Sequence, residues 1–395
     1  MNPFPRIPGQ RLLHSPGPTR LPDEVLHALS RQPMDLADSR LDPIIAACED
    51  GLKRLLNAPQ AEVLMYIANG HGAWEAAVVN LLAPGCIALI PGTGHFSESW
   101  ALQTEALGGQ VLRTPWVEGQ PIDVAAVAQA LRDDRERRIA AVFCVHTDTA
   151  SGVTSDLQAL RAALDDSGHP ALFVVDVVAS LGVVPFDMQA LRADVVIGAS
   201  QKGLMLPPGL GFVAVNAAAV EVARANPTPR YYWDWGRRID ALSYRKFCGT
   251  PPMNLLYGLQ AALGLLFAEG LDAVFARHRL LAGAVQAAVQ GWSEGGAIGF
   301  FCQPPACRSL SVTAVTLQGF EPEAVRRTAR ERFQVALSGG LGPLAGRVFR
   351  IGHMGDLNAG MVLGALAGVE AALQVHGVPI GHGGVQRAIA HLAAD

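Results

Sequence analysis

From about residue 61 to residue 216 the chain alternates two kinds of apolar pattern. The runs "EVLMYIA", "CIALIPG", "GQVLRTPW", "IAAVFCVHT", "ALFVVDVVAS", "DVVIGAS" and "GFVAVN" are continuous rather than every-other-residue hydrophobic. That pattern predicts strands covered on both faces. Between them, "AWEAAVVNLLAPG", "VAAVAQALRDD" and "LQALRAALDDSG" space their apolar residues at helical intervals and stop at Gly or Pro. Strands alternating with helices predict an α/β fold: an open, mostly parallel sheet with helices on both sides.

After Thr250 the rhythm changes. "NLLYGLQAALGLLFAEG" and "VFARHRLLAGAVQAAVQGW" predict two long helices, followed by "SVTAVTL", the charged helix "PEAVRRTARERF", "VFRIGH" and a last helix "MVLGALAGVEAALQVHG". We therefore expect an N-terminal arm over 1–20, a large domain over 21–270 and a smaller α+β domain over 271–395. A chain of 395 residues exceeds what one core usually fills, which agrees with two domains. The segment 225–252, "ANPTPRYYWDWGRRIDALSYRKFCGTPP", is aromatic and arginine-rich and reads as an irregular loop over a site or an interface.

Composition narrows the class. The net charge is −4 and no basic stripe is present, so no nucleic-acid partner is expected. The apolar runs are too short to span a bilayer, and no membrane partner is expected. Neither end reads as a targeting signal. Six cysteines (Cys48, Cys86, Cys144, Cys248, Cys302, Cys307) lack metal-ligand spacing, so they read as small hydrophobes in a reducing compartment, with no metal site. A cytoplasmic protein is the expectation.

The lysine count is more telling. There are three lysines, Lys53, Lys202 and Lys246, in a chain that otherwise uses arginine. Lys53 fits the charged face of an amphipathic helix, and Lys246 fits a surface loop. Lys202, in "GASQKGLMLPPGLGF", stands among small and apolar residues at the carboxyl end of a predicted strand. Ligands of open parallel sheets bind at that edge. Desolvation there lowers an amine's pKa and makes it a nucleophile toward a carbonyl; a lysine snorkelling from a strand end would look the same locally. Asp176 interrupts "ALFVVDVVAS", where a carboxylate needs a cation or several donors. The protonated ring nitrogen of pyridoxal 5'-phosphate would be such a cation, and an Asp capping a nearby turn is the other reading. In "ANGHGAWEAAVVN" the amides of Gly70, His71 and Gly72 open a helix, a ready site for a phosphate.

Taken in order, "SPGPTRLPDEVL", "NGHGAWEAAVVNLLAPG", "HTDTASGV", "VVDVVASLG", "SQKGLMLPPGL" and "RIGHMGDLN" make the chain resemble, nearly end to end, the class V pyridoxal-phosphate aminotransferases, within them the alanine/serine–glyoxylate aminotransferase family. The resemblance implies a fold-type I architecture, with a mostly parallel seven-stranded sheet in the large domain and a smaller α+β C-terminal domain. It implies pyridoxal 5'-phosphate as cofactor and a ping-pong transaminase that moves an amino group from a small amino acid to glyoxylate or another small 2-oxo acid. By the same resemblance Lys202 is the catalytic lysine that carries the cofactor and shuttles a proton. Asp176 is the ring-nitrogen partner, and Gly70, His71, Gly72 and Gln201 are phosphate donors. Phe96 stacks on the ring, Thr149 bonds its phenolic oxygen, and Arg350 clamps the substrate carboxylate. Thr250 reaches the phosphate of a neighbouring subunit, which implies a homodimer with shared sites.

Three departures bear on the donor: Asn69 where many relatives have Ser or Thr, Phe247 in place of a tyrosine, and "MDLADSR" in place of a "DHR" signature. An enzyme resembling pyridoxamine–pyruvate aminotransferase, using free pyridoxamine, is the alternative. A dehydrogenase-like nucleotide binder lacks its GxGxxG here. His146 reads either as a residue near the ring or as a strand-end histidine satisfied by hydrogen bonds, His353 as a residue that approaches substrate, and His278 with Arg279 as the solvated side of a helix. Trp233, Asp234 and Trp235 read as loop or dimer packing.

Overall fold

All seven continuous apolar runs form strands of one sheet in the computed structural model, which describes residues 8–394. Part of the expected arm, residues 1–7, and the final residue lie outside the described residues. The strands are β1 (Glu62–Ala68), β2 (Ile87–Ile90), β3 (Gln110–Arg113), β4 (Ile139–Val145), β5 (Leu172–Asp176), β6 (Val195–Ala199) and β7 (Gly209–Val215). Their spatial order is β1-β7-β6-β5-β4-β2-β3, and only β7 runs antiparallel to its neighbours.

The continuous patterning has a direct cause. Along β5, Leu172 and Val174 enter one core while Phe173 and Val175 enter the other, and β6 divides Val195 and Ile197 from Val196 in the same way. With hydrophobic layers on both faces, no position is left for a polar alternation. Asp176, the last residue of β5, shares the face of Val174 and so points toward the layer that contains Trp74 and Trp100.

Several of the helices begin where short polar side chains satisfy their first amides. Asp123, Asp156, Asn216 and Asn358 each accept from the amide three residues ahead, and Asn69 accepts from those of His71 and Gly72. Such a cap is worth about 1 kcal/mol over alanine. Helix 157–167 ends at Gly168 with φ +59°. The segment 225–252 is less irregular than its composition suggests: Asp234 caps a short helix, Trp235–Ile239, and Ser243–Phe247 forms a 3₁₀ turn. Trp235 is fully buried, and Trp233 packs against Tyr66 and donates to Glu75.

The two long helices fall at Met253–Glu269 and Leu271–Ser293, bent by 86° at Gly270, which takes φ +88°. Beyond them lies a four-stranded antiparallel sheet of β8 (Ile298–Phe300), β9 (Val312–Leu317), β10 (Ser338–Gly339) and β11 (Val348–Gly352), in the order β8-β9-β11-β10. Its own core gathers residues of helices 271–293, 322–332, 359–375 and 384–393. Leu12 and Leu13 pair in parallel with Val335 and Ala336 as a separate two-stranded sheet, and the amide of Gly352 on β11 donates to His14 O at 2.7 Å, so the N-terminal segment is tied to the second sheet before it crosses to the first. All six cysteines are free, and Cys48, Cys144 and Cys302 are buried. Among the described residues no single helix is long and apolar enough to cross a membrane.

Candidate active site

A cleft of about 300 Å³ opens at the carboxyl ends of β4, β5 and β6. Gly70, His71, Phe96, Thr149, Asp176, Gln201, Lys202 and Arg350 all line it, together with Pro16, Gly17, Asn69 and Trp74. Eight of the expected site residues, drawn from both sheets, thus meet in one place.

Lys202 sits in the turn after β6 and is almost wholly buried. Its Nζ donates to the carbonyl of Pro16 and, at 3.3 Å, to Thr149 Oγ1. Burial, and then the charge of Arg350, push this amine down to about 7, against the pull of Asp176 and Asp148. A substantial neutral fraction at physiological pH is what a nucleophilic amine requires. Gly17 makes room for it: a Cβ there would lie 2.5 Å from Lys202 Cδ and 2.9 Å from Nζ. Thr19 fixes the backbone of the same turn, its Oγ1 donating to the Lys202 carbonyl at 3.0 Å.

Asp176 ends β5. Its Oδ1 accepts from the amide of Val178 at 2.6 Å and its Oδ2 from the indole of Trp74 at 2.9 Å. Burial pushes the carboxyl up to about 6, while these two donors and Lys202 hold it lower than burial alone would. Arg350 lies on β11, buried, with Nε donating to Gly339 O at 2.7 Å and Nη1 to Thr149 O at 2.8 Å. Both bonds hold the guanidinium at the cleft wall. Burial pushes it down to about 10, so it stays charged at neutral pH.

At the mouth of helix Gly70–Leu81 the expected donors are partly taken. Asn69 Oδ1 accepts from the amides of His71 at 3.1 Å and Gly72 at 3.4 Å. Gly72 does not line the cleft; a Cβ there would meet Ala68 at 2.7 Å and Trp233 at 3.1 Å. Thr250 does not line it either. It is exposed and stands in a separate hollow beside Pro33, Met34 and Asp35.

Two histidine expectations are corrected. His278 is buried, not solvated: its Nδ1 lies 2.7 Å from Val274 O and its Nε2 accepts from the amide of Gly355 at 3.0 Å. Its neighbour Arg279 is exposed as expected. His353 does not approach the cleft. It is fully buried, with its ring nitrogens 2.9 Å from Thr313 Oγ1 and 3.1 Å from Leu310 O. His146 is the strand-end histidine it resembled, 2.9 Å from Ser180 Oγ.

Sequence reasoning missed Asp148 and Trp74. Asp148 is fully buried, and its Oδ2 accepts from the amide of Phe96 at 2.9 Å and from Thr93 Oγ1 at 3.4 Å. Its Oδ1 takes the amides of Ala150 at 2.8 Å and Ser151 at 3.2 Å. It thereby joins the segment that carries Phe96 to the one that carries Thr149. Asp148 stands between Thr147 and Thr149, so the test that singled out Asp176, a carboxylate amid apolar neighbours, passes over it. Trp74 gave no signal either, because a tryptophan at helical spacing reads as core.

The chemistry available is that of a buried primary amine, a buried carboxylate, an aromatic face and a fixed guanidinium around one small volume. Such a set binds a carboxylate-bearing substrate and moves a proton close to it.

Comparison with known proteins agrees. The family model described as aminotransferase class V matches residues 11–346. Serine–glyoxylate aminotransferase of Methylorubrum extorquens is 38% identical over 394 residues, 98% of this chain and 97% of that one. L-aspartate–glyoxylate aminotransferase of Paracoccus denitrificans is 36% identical over 374 residues, 94% of this chain and 93% of that one. Among solved structures, pyridoxamine–pyruvate aminotransferase of Mesorhizobium loti superposes with a TM-score of 0.91 at 28% identity, covering 99% of both chains. The seven-stranded α/β sheet, the cleft at its carboxyl edge and these similarities lead to one conclusion: the chain belongs to the class V aminotransferases.

Proposed function

We propose that this aminotransferase binds pyridoxal 5'-phosphate in the cleft and moves an amino group from a small amino acid, such as alanine, serine or aspartate, to glyoxylate or another small 2-oxo acid. One observation carries the reading: Lys202, Asp176 and Arg350, distant in sequence, line the same cleft of about 300 Å³. The residues fit the cofactor. Gln201 brings a carboxamide, with two N–H donors, to the cleft wall, Gly17 leaves room for the lysine, and among the described residues no cationic side chain is hydrogen-bonded to the buried Asp176.

When bound, the cofactor supplies an aldehyde for amine exchange and a cationic ring that withdraws electrons from the substrate α-carbon. The chain's residues do the rest. Asp176 would accept from the ring N–H and favour its protonated form. Phe96 would cover the ring and Thr149 would offer its hydroxyl. Arg350 holds the substrate carboxylate by a planar fork, so that the α-carbon stands over Lys202. The Lys202 amine, when neutral, would take the proton from the substrate α-carbon and hold it as an ammonium until it is handed back. Burial of the cleft keeps water off that proton.

Identities of 36–38% with two glyoxylate aminotransferases support glyoxylate as acceptor. The pyridoxamine–pyruvate reading has one feature in its favour, the two amides taken by Asn69. At 28% identity the corresponding enzyme is more distant, and the glyoxylate reading is preferred. A homodimer belongs to the proposal, since exposed Thr250 serves no site of its own chain.

The test is a set of half-reactions. Cofactor-loaded protein is mixed with single amino acids and then with glyoxylate or pyruvate, and the visible band is followed. Bleaching by a small amino acid and recovery with glyoxylate are expected. Uptake of free pyridoxal but not its phosphate would overturn this reading in favour of the second.

A further inference from the structure

Trp74 occupies an unusual position for a core tryptophan. It is the fifth residue of helix Gly70–Leu81, is 2% exposed, and lies at the cleft wall. Its Nε1 donates to Asp176 Oδ2 at 2.9 Å. Its ring is stacked on Trp100 at 5.0 Å and 8°, and Trp100 in turn stands edge-on to Phe143 of β4 at 4.9 Å. Among the described residues Trp100 Nε1 has no hydrogen-bond partner, so that ring contributes packing alone. Trp74 also touches the site on two further sides, with His71 at 4.5 Å and Phe96 edge-on at 6.3 Å between ring centroids.

The stack fixes the direction of one N–H bond. Tryptophan has a donor and no acceptor, so it bonds the carboxylate only as an anion-stabilising partner. Being neutral, it leaves the negative charge of Asp176 intact. An arginine or lysine in its place would hold the carboxylate equally well but would cancel the charge that a cationic ring needs. The backbone amide of Val178 does the same at the other oxygen.

We propose that Trp74 is the positioning residue of Asp176: its indole N–H aims the carboxylate into the cleft and keeps it an anion without adding a charge. This rests on the proposed role of Asp176 as partner of the cofactor's ring nitrogen. The charged groups that act on Asp176 besides these donors are Lys202, which favours the anion, and Asp148, which opposes it.

The experiment uses the cofactor-free protein. The Asp176 carboxyl is titrated by infrared difference spectroscopy with ¹³C-labelled aspartate, and Asp176→Asn identifies the band. Trp74→Phe removes the N–H; Trp100→Phe removes the stacking and keeps it. A charge-assisted bond is worth a shift of about one pH unit. We expect the Trp74→Phe midpoint to rise by about that much, a roughly tenfold fall in the anion-to-acid ratio, with Trp100→Phe far closer to wild type. After loading, Trp74→Phe is expected to lower kcat about tenfold with KM for the amino acid nearly unchanged. Should Trp74→Phe not fold, the benzothienylalanine isostere, with sulfur in place of N–H, takes its place.

An unmoved midpoint overturns the proposal, as does a Trp100→Phe shift as large as that of Trp74→Phe. If the midpoint moves but the protein takes up no pyridoxal phosphate, the Trp74–Asp176 inference stands and the proposed function falls.

Discussion

Arg350 and Thr149 are 201 residues apart, yet the guanidinium of one donates to the carbonyl of the other at 2.8 Å. Because Thr149 Oγ1 also accepts from Lys202 Nζ, one residue connects the guanidinium of the second sheet to the amine of the first. In the proposed function a substrate carboxylate held by Arg350 is indexed to Lys202 through that one residue.

Lys202→Ala is expected to lower transamination by about a thousandfold or more, since it removes both the amine and the proton carrier. Single-turnover spectroscopy checks it. The fold should persist, because the lost group is one whose charged form burial disfavours. Turnover within tenfold of wild type would reject the assignment.

Arg350→Lys keeps the charge but loses the fork and its anchors on Gly339 and Thr149. Loss of about 1.5–3 kcal/mol of charge-assisted bonding corresponds to a KM for the amino acid roughly 10- to 100-fold higher. Steady-state kinetics should show the change mainly in KM.

Asp148→Asn turns one acceptor oxygen into an NH₂ that faces N–H or O–H donors from Phe96 and Thr93, or from Ala150 and Ser151. Leaving such buried donors unpaired costs about 1–3 kcal/mol. Urea unfolding should register that loss, and Asp148→Ala should be no better.

Lys202 also makes a pH prediction. Its folded pKa of about 7 lies below the ordinary lysine value of about 10.4, so between those limits the unfolded chain holds more protons. Stability then rises with pH across that window as the penalty for burying a charged amine is relieved. Against Lys202→Met, the cofactor-free wild type should gain stability from pH 7 to pH 10, and parallel curves would contradict the depressed pKa.

Asn69→Ala should cost about 1 kcal/mol in thermal stability by uncapping helix Gly70–Leu81. Asn69→Ser should keep most of it, since serine caps about as well. A larger loss with serine than with alanine would show that the carboxamide is not acting as a cap.

How much of this was legible depends on how local the cause is. Most of the strands were readable because burial on both faces writes itself as an unbroken apolar run, and "DVVIGAS" or "GFVAVN" needs no partner to be recognised; the edge strand Gln110–Arg113, expected to be covered on both faces, is largely exposed. Lys202 was readable from scarcity and Asp176 from a carboxylate inside a strand. His278 was misread because it lies between two arginines on a helix. Its burial comes from the Gly355 amide, which only the packing of the second sheet brings near. Trp74 was invisible because an indole in the core and an indole that donates to a functional carboxylate have the same local sequence.

By itself, then, the chain's order of apolar and polar residues determined the strands and helices and the edge of the sheet where Lys202 and Asp176 emerge, because those follow from burial and short-range geometry. Only the tertiary structure decided which carbonyls fix Arg350, and that Asp148 and Trp74 brace the site. Each of those is a contact between residues far apart in the sequence, set by how the two sheets and the N-terminal segment pack, and no local pattern encodes such a distance.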